Sequence, residues 1–215
     1  MKTMSTYILT SMFHNGFSDE IAELFQKKIT QREKFVFVAS EFEKHHKKTD
    51  NYFKFFLNMF EEKGIHFKEA RVVDGRMKAE QAQAAVEAAD VIWLSGGDTP
   101  VEFAYLQKYG LVDVIKNHSG VVIGMSAGSI NLADTAICTR SCGHDPQQIY
   151  PGIGCVRISV EPHFVMDELS DELLELSEKY TIYGLCDESV IICEDENTEF
   201  YGEIYKIEKG NIERV

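Results

Sequence analysis

Short apolar runs alternate along the chain with longer amphipathic stretches. The runs predict buried strands, and they lie at 7–9, 35–39, 70–73, 91–94 and 121–125. The stretches between them predict helices near 18–29, 51–63, 80–89 and 101–117, with a break in the last at Gly110. Strands separated by helices in this way are typical of parallel βαβ units with right-handed crossovers. The pattern therefore predicts an α/β domain with a doubly wound, mostly parallel sheet.

The pattern changes after Cys155. Val156, Ile158 and Val160 alternate with polar residues, which predicts a half-exposed strand over 156–160. A helix is expected near 170–179, and a tail of strands and β-hairpins over 183–215, with turns at 195–197 and 210–211. Because neither an internal repeat nor a linker interrupts the pattern, we expect a single domain over 1–215.

Composition narrows the possible partners. The 215 residues carry a net charge of −13, which argues against nucleic acid or an anionic membrane as the main partner. No apolar stretch approaches the roughly 18 residues of a membrane span, and the N-terminal residues lack the apolar run of a secretory signal, so a cytoplasmic protein is expected. The cysteines are odd in number and lack a Cys-x-x-Cys pair, which predicts reduced thiols, with neither a metal site nor a cofactor. They are Cys138, Cys142, Cys155, Cys186 and Cys193.

One segment has the pattern of a nucleophile elbow. Residues 124–128 read Gly-Met-Ser-Ala-Gly, between an apolar strand and a stretch that can start a helix. Ser126 would then sit on a tight turn at the carboxyl edge of the sheet, and the N–H of Ala127 could bind a developing oxyanion. The alternative is a glycine-rich turn without activity.

A second glycine-rich turn follows the strand at 91–94. Gly97 could direct its N–H into the same cleft and provide a second oxyanion donor. The same residues also suit the start of a helix, with Asp98 or Thr99 as the cap and Pro100 in the first turn. The two interpretations are compatible.

A serine nucleophile needs a base and an orienting acid. His163 closes the predicted strand at 156–160 and can reach the cleft, whereas His14 has no obvious partner in the sequence. For the acid, Glu188 and then Asp187 are the first candidates, because both follow a short predicted strand. Asp145 and Asp134 are the alternatives.

Two known folds that contain such an elbow do not match this sequence, one because of the spacing and the other because of the residue at the elbow. An α/β-hydrolase places several βα units before its histidine, but only 37 positions separate Ser126 from His163. A class I glutamine amidotransferase would have cysteine at the elbow.

The motifs resemble those of the peptidase E and cyanophycinase family of serine peptidases. The resemblance covers roughly 90–190 and is carried by Gly96-Gly97-Asp98-Thr99, by Gly124-Met125-Ser126-Ala127-Gly128-Ser129, by Pro162-His163-Phe164 and by Gly184-Leu185-Cys186-Asp187-Glu188. It implies a flavodoxin-like fold related to class I glutamine amidotransferases. It also implies that Ser126 is the nucleophile, that His163 is the base, and that Gly97 and Ala127 form the oxyanion hole.

The resemblance allows two positions for the acid. Peptidase E has been given an Asp soon after the elbow helix; that position falls near Cys142 here, with Asp145 three residues further on. Cyanophycinase-like members have a Glu after the last core strand, which corresponds to Glu188. We therefore expect Glu188 to be the acid.

The expected function is that of a serine peptidase that hydrolyses short peptides through an acyl-enzyme, as a monomer or a homodimer. Relatives of peptidase E cleave Asp-X dipeptides, and cyanophycinases cut a β-linked Asp–Arg polymer. An acidic side chain would need a basic residue in the pocket, for which Arg140 and Arg157 are candidates. The alternatives are a cyanophycinase-like enzyme, another amidase or esterase with the same site, or a non-catalytic binding module.

Overall fold

The computed structural model describes residues 5–195 and 197–215. The strands are β1 Thr6–Thr10, β2 Lys34–Val38, β3 Glu69–Val73, β4 Val91–Leu94, β5 Val121–Met125, β6 Thr135–Cys138, β7 Gln148–Pro151, β8 Ser159–Pro162, β9 Ile182–Leu185, β10 Val190–Glu194, β11 Asn197–Tyr201, β12 Ile204–Glu208 and β13 Asn211–Arg214. The helices are α1 Asp19–Lys28, α2 His46–Glu62, α3 Ala79–Glu87, α4 Thr99–Lys108, α5 Leu111–Lys116, α6 Ala127–Leu132 and α7 Asp171–Ser177, and a short 3₁₀ turn spans Met166–Glu168.

The largest sheet has seven strands in the order β11-β10-β1-β5-β4-β2-β3. Strands β1, β5, β4, β2 and β3 are parallel, and the hairpin β10–β11 adds two antiparallel strands beside β1. Every residue of β4 and β5 is buried, as expected of parallel strands covered on both faces. The protein is therefore a mixed α/β fold with a large, mostly parallel sheet, as the sequence pattern predicts.

Helices cover both faces of this sheet. An aromatic-rich core packs helices α1 and α2 on one face, and a largely aliphatic core packs α3 to α6 on the other. Strand β2 shows the alternation that divides them, because Phe35 and Phe37 belong to the first core while Val36 and Val38 belong to the second.

The C-terminal tail is shared between two sheets. Hairpin β10–β11 joins the large sheet, whereas β12–β13 joins a second sheet in the order β13-β12-β9-β8. The predicted turn at 210–211 connects β12 to β13, with Gly210 at a φ of +69°. The predicted turn at 195–197 includes residue 196, which lies outside the described residues.

The boundaries of two elements differ clearly from the sequence prediction, and one pair of strands was not predicted. Helix α2 begins at His46 rather than near 51. The strand expected over 156–160 is β8, shifted to Ser159–Pro162, and Val156 makes only an isolated bridge to Ala133. The antiparallel pair β6–β7 was not predicted from the sequence. The break at Gly110 is confirmed, because this residue separates α4 from α5 with a φ of +65°.

The parallel strands bring four serine-containing turns to one edge of the sheet. β1 ends before Ser11, β2 before Ser40, β4 before the turn at 95–98 and β5 before Ser126. Thr10 of β1 pairs with Met125 of β5, so these strand ends are level with each other. The five cysteines are free thiols. Within 5–195 and 197–215, no helix has both the length and the apolar character needed to cross a bilayer.

Candidate active site

Ser126 occupies a sharp turn between β5 and α6. Its φ of 52° and ψ of −109° lie in a region that non-glycine residues rarely adopt, at a cost of about 1–3 kcal/mol. A Cβ on Gly124 would lie 2.7 Å from the backbone of Gly128, and a Cβ on Gly128 would lie 2.7 Å from the Cβ of Leu94. Both flanking glycines are therefore needed for helix α6 to approach the strands this closely.

His163 follows β8 and reaches the hydroxyl of Ser126. The distance from His163 Nε2 to Ser126 Oγ is 3.0 Å, which is within the reach expected of a base and its nucleophile. The two residues are 37 positions apart, and the structure brings them together as the sequence predicts. The imidazole is half-exposed, with 48% of its side chain accessible, so a substrate can approach it.

The carboxylate that contacts His163 is that of Asp187. Its Oδ1 lies 2.9 Å from His163 Nδ1. Because a carboxylate only accepts, Nδ1 carries the proton, and Nε2 is left as an acceptor for the hydroxyl of Ser126. This tautomer is the one in which an imidazole can act as a general base toward a serine.

The expectation that Glu188 contacts the imidazole is therefore corrected. Glu188 follows Asp187 in the turn after β9 and has a φ of 67°, and its hydrogen-bond partners differ from those of Asp187. Its N–H donates to the carbonyl of Met12 at 2.7 Å, and its Oε1 accepts a hydrogen bond of 3.4 Å from Asn15.

The other two acid candidates also lie elsewhere. Asp145 is exposed and is 3.7 Å from Nε of Arg140. Asp134 lies just before β6, and its carbonyl accepts from the N–H of Gly152. Neither is among the partners of His163.

Ser11 is a site residue that the sequence analysis missed. Its side chain is fully buried, and its Oγ donates to Asp187 Oδ1 at 2.6 Å while it accepts from the N–H of His163 at 2.7 Å. One hydroxyl thus fixes both the carboxylate of Asp187 and the backbone of His163. The available signal was the position of Ser11 directly after β1, at the edge where the elbow also lies.

His14, for which the sequence suggested no partner, contacts the same acid. Its Nε2 is 2.7 Å from Asp187 Oδ2, and 58% of its side chain is exposed. Burial alone would raise the pKa of Asp187, but the hydrogen bonds from Ser11 and His14 and the nearby His163 outweigh burial and hold that pKa below its usual value. Asp187 is therefore ionised at neutral pH, as an orienting carboxylate must be.

The second glycine turn lies beside the elbow. A Cβ on Gly96 would be 3.2 Å from the Cβ of Ser126, and one on Gly97 would be 2.7 Å from the Cβ of Ser40. Ser40 Oγ donates to the carbonyl of Gly96 at 2.8 Å and fixes the turn. Asp98 is the helix cap, since its side chain accepts from the N–H of Val101 at 3.0 Å. Among the hydrogen bonds of the described residues, none uses the N–H of Gly97.

A buried polar cluster connects the two helices that start at these turns. Asn131 of α6 donates to the carbonyl of Thr99 at 3.0 Å and to Oε2 of Glu102 at 2.8 Å, both in α4. Tyr150 donates to Asn131 Oδ1 at 2.9 Å. Complete burial raises the pKa of Glu102 to about 8, so this carboxyl is mostly protonated at pH 7. The cluster fixes the start of α4 relative to the end of α6.

Two cavities border His163. Their volumes are about 220 Å3 and 520 Å3. Among the described residues that line them, none is lysine or arginine. Arg140, expected as a partner for an acidic substrate, donates its N–H to Glu172 at 3.0 Å and has its side chain beside Asp145. Arg157 precedes β8 and is therefore at the end of that strand opposite to His163.

In the described ranges, no group of three His, Cys, Asp or Glu side chains could hold a metal ion. The polar groups that meet at the carboxyl edge are hydroxyl, imidazole, carboxylate and free backbone N–H. This set suits nucleophilic catalysis of acyl transfer.

The sequence profile of peptidase family S51 matches residues 8–201. No curated protein sequence matches the chain. Among solved structures, a peptidase from an acI-B1 Actinobacterium superimposes with a TM-score of 0.73 at 15% identity, over 100% of this chain and 95% of that one. A candidate peptidase E protein from Listeria monocytogenes EGD-e superimposes with a TM-score of 0.68 at 16% identity, over 92% of this chain and 98% of that one. At these identities the structural likeness shows the fold alone.

Proposed function

The chain belongs to peptidase family S51 and is a peptidase, and we propose that it hydrolyses short peptides with Ser126 as nucleophile, His163 as base and Asp187 as orienting acid. The observation that carries this proposal is the continuous line of contacts from hydroxyl to imidazole to carboxylate, at 3.0 and 2.9 Å.

In the proposed reaction, Ser126 Oγ attacks the carbonyl carbon of the peptide bond. The hydroxyl proton moves to His163 Nε2, while the Nδ1 proton stays on the imidazole and donates to Asp187. The imidazolium then protonates the leaving amine. Water, deprotonated by the same imidazole, hydrolyses the acyl-enzyme and restores Ser126. General-base assistance of this kind contributes about 10²–10⁴-fold.

The oxyanion that forms during attack needs donors in place before the reaction. We assign this role to the N–H groups of Gly97 and Ala127, one on each glycine-rich turn. The close approach of Gly96 to Ser126 supports this assignment, as does the position of Ala127 in the first turn of α6, where N–H groups lack helical acceptors. Each such donor contributes about 10²–10³-fold.

The order of the parallel strands supports the flavodoxin-like architecture implied by the resemblance. Strands β3-β2-β4-β5 reproduce the first four places of the order 2-1-3-4-5, and β1 takes the fifth place. In such sheets ligands bind at the carboxyl ends of the strands, which is where the elbow lies.

The test combines labelling with turnover. A fluorophosphonate should label the protein at Ser126, and Ser126→Ala should lose both labelling and hydrolysis of a dipeptide panel that includes Asp-X. Ser119→Ala is the matched control, because this serine is exposed in the turn before β5. Labelling of Ser126→Ala at wild-type level would refute the proposed nucleophile. An ester and amide panel, run in parallel, distinguishes a peptidase from the esterase or amidase alternatives, and a protein that binds peptides without turnover or labelling would be the binding module.

A further inference from the structure

Glu161 is a buried carboxyl close to the proposed base. It lies in β8, two residues before His163, and is only 3% exposed. Its Oε1 accepts a hydrogen bond of 2.7 Å from Thr139 Oγ1, whereas its Oε2 has no partner among the described residues. Buried polar atoms almost always have a hydrogen-bond partner, and a buried carboxylate without one is costly. The unpartnered oxygen therefore indicates that a hydrogen-bond donor from a ligand, absent from the free protein, can bind here.

The smaller of the two cavities beside His163 is lined by Glu161. Its wall also includes Ser141, Cys142, Glu168 and Ser170. Its volume of about 220 Å3 is below the roughly 300–1,000 Å3 of cavities that hold a whole small-molecule ligand. The cavity thus suits a single side chain or terminal group of a substrate whose scissile bond lies at His163.

The charge of this cavity favours a cation. Burial raises the pKa of Glu161 to about 7, and Glu172 raises it further. The hydrogen bond from the Thr139 hydroxyl lowers it, as does the nearby Cys142 thiol, although that thiol has the carbonyl of Pro162 as its hydrogen-bond acceptor. A second carboxylate, Glu168, lines the cavity, and among the described lining residues only His163 has a basic side chain. A cation would complete the hydrogen bonding of Glu161 and keep it ionised, whereas an acidic side chain would meet two carboxyl groups.

We propose that this cavity is a specificity pocket that binds a positively charged group of the peptide substrate, an ammonium or a guanidinium, with Glu161 as its partner. The proposal rests on the proposed function, because it assigns a substrate class to the same site. The cation can come from the α-amino group of the peptide or from a lysine or arginine side chain, and both sources have the donors that a carboxylate accepts.

Binding to Ser126→Ala separates this proposal from catalysis, because affinity is then measured without turnover. Arg-Ala and citrulline-Ala are nearly isosteric and differ by one charge, and their N-acetylated forms lack the α-ammonium group. Calorimetry with the four ligands measures the effect of each cation. We expect one of the two cations to improve affinity at least about tenfold, the ratio that about 1.4 kcal/mol of binding free energy produces.

The pattern across the four ligands identifies the source of the cation. If the side chain occupies the pocket, the preference for arginine over citrulline persists after N-acetylation. If the α-ammonium group occupies it, arginine and citrulline ligands bind alike, and N-acetylation weakens both. Either result supports the proposal, provided that Glu161→Gln in the same background removes the preference.

Two further variants complete the design. Ser141→Lys places a positive charge at the exposed mouth of the cavity and should also remove the preference, which keeps the test valid if Glu161→Gln fails to fold by circular dichroism. Glu213→Gln makes the same change in net charge on the exposed strand β13 and should leave the preference intact.

The proposal is overturned if neither cation improves affinity, or if the preference survives in Glu161→Gln or, where that variant does not fold, in Ser141→Lys. Failure of the proposed function has a different signature, because it would appear as a lack of Ser126-dependent hydrolysis in the unmodified protein, whatever these affinities are.

Discussion

The adjacent residues Asp187 and Glu188 allow a direct test of the acid. Asp187→Asn removes the carboxylate that accepts from His163 Nδ1, and Glu188→Gln removes a carboxylate one position away that does not contact the imidazole. Each substitution is nearly isosteric and removes one negative charge. A difference in activity between the two variants therefore reports the contact with the base rather than the net charge.

The size of the expected loss follows from the distance between the charges. An imidazolium and a carboxylate about 2.9 Å apart attract each other by about 6 kcal/mol at an effective dielectric constant of about 20 and by about 1.4 kcal/mol in bulk water. The side chains of His163 and Asp187 are 48% and 33% exposed, which places the pair between these limits. A loss of about 3–4 kcal/mol in the transition state lowers kcat by about 10²–10³-fold.

The assay is steady-state hydrolysis of the best dipeptide from the substrate panel, with the melting temperature measured for each variant. We expect Asp187→Asn to lose kcat at nearly constant KM, and Glu188→Gln to stay within about threefold of the unsubstituted protein, as is usual for surface changes of about 0.5 kcal/mol or less. If the losses were reversed, Glu188 would be the acid in solution and the geometry described for Asp187 would not be that of the active enzyme.

Three other perturbations test the surroundings of the site. Ser11→Ala leaves the N–H of His163 without its acceptor, and at a cost of about 1–3 kcal/mol we expect a lower Tm and at least tenfold lower kcat; an unchanged kcat would contradict the positioning role. His14→Ala removes an exposed contact worth about 0–1 kcal/mol, so activity should fall no more than about fivefold. Because burial raises the pKa of Glu102 to about 8 from its ordinary value of 4.5, the folded state binds its proton more tightly than the unfolded state. Stability should therefore fall as pH rises from about 4.5 to about 8, and Glu102→Gln should flatten that part of the unfolding profile measured with urea.

Much of the large sheet could be predicted because its strands are local features of the sequence. The runs at β4 and β5 are continuous and apolar, and the helices between strands keep one apolar face, so the βαβ order follows from the pattern. Short elements with weak patterns were displaced or missed. All four residues of strand β8 are buried, without alternation. The alternation at 156–160 therefore predicted the strand too early in the chain. In hairpin β6–β7, strand β7 is mostly exposed and lacks a buried run.

The candidate site likewise contains residues that a local motif reveals and residues that only the tertiary structure brings together. The contact between Ser126 and His163 could be predicted, because Ser126 lies in a local sequence motif and His163 ends a strand directed to the same edge. The choice between the adjacent residues Asp187 and Glu188 depends on the conformation of the turn that holds both, which the sequence pattern does not determine. Ser11 is 152 positions from His163 in the chain, and only the pairing of β1 with β5 and β10 brings it to the site.

The end of β1 has a structural role that unites these observations. Ser126, His163 and Glu188 all have left-handed backbones, with φ of 52°, 56° and 67°. Such conformations persist only where the surroundings hold them. The N–H of Ser126 donates to the carbonyl of Thr10, that of His163 to the side chain of Ser11, and that of Glu188 to the carbonyl of Met12. Three consecutive residues of the β1 end thus hold the turns of the proposed nucleophile, base and acid. Because β1 lies between β5 and β10 in the sheet, the alignment of the three groups depends on the packing of that strand, and not on the loops alone.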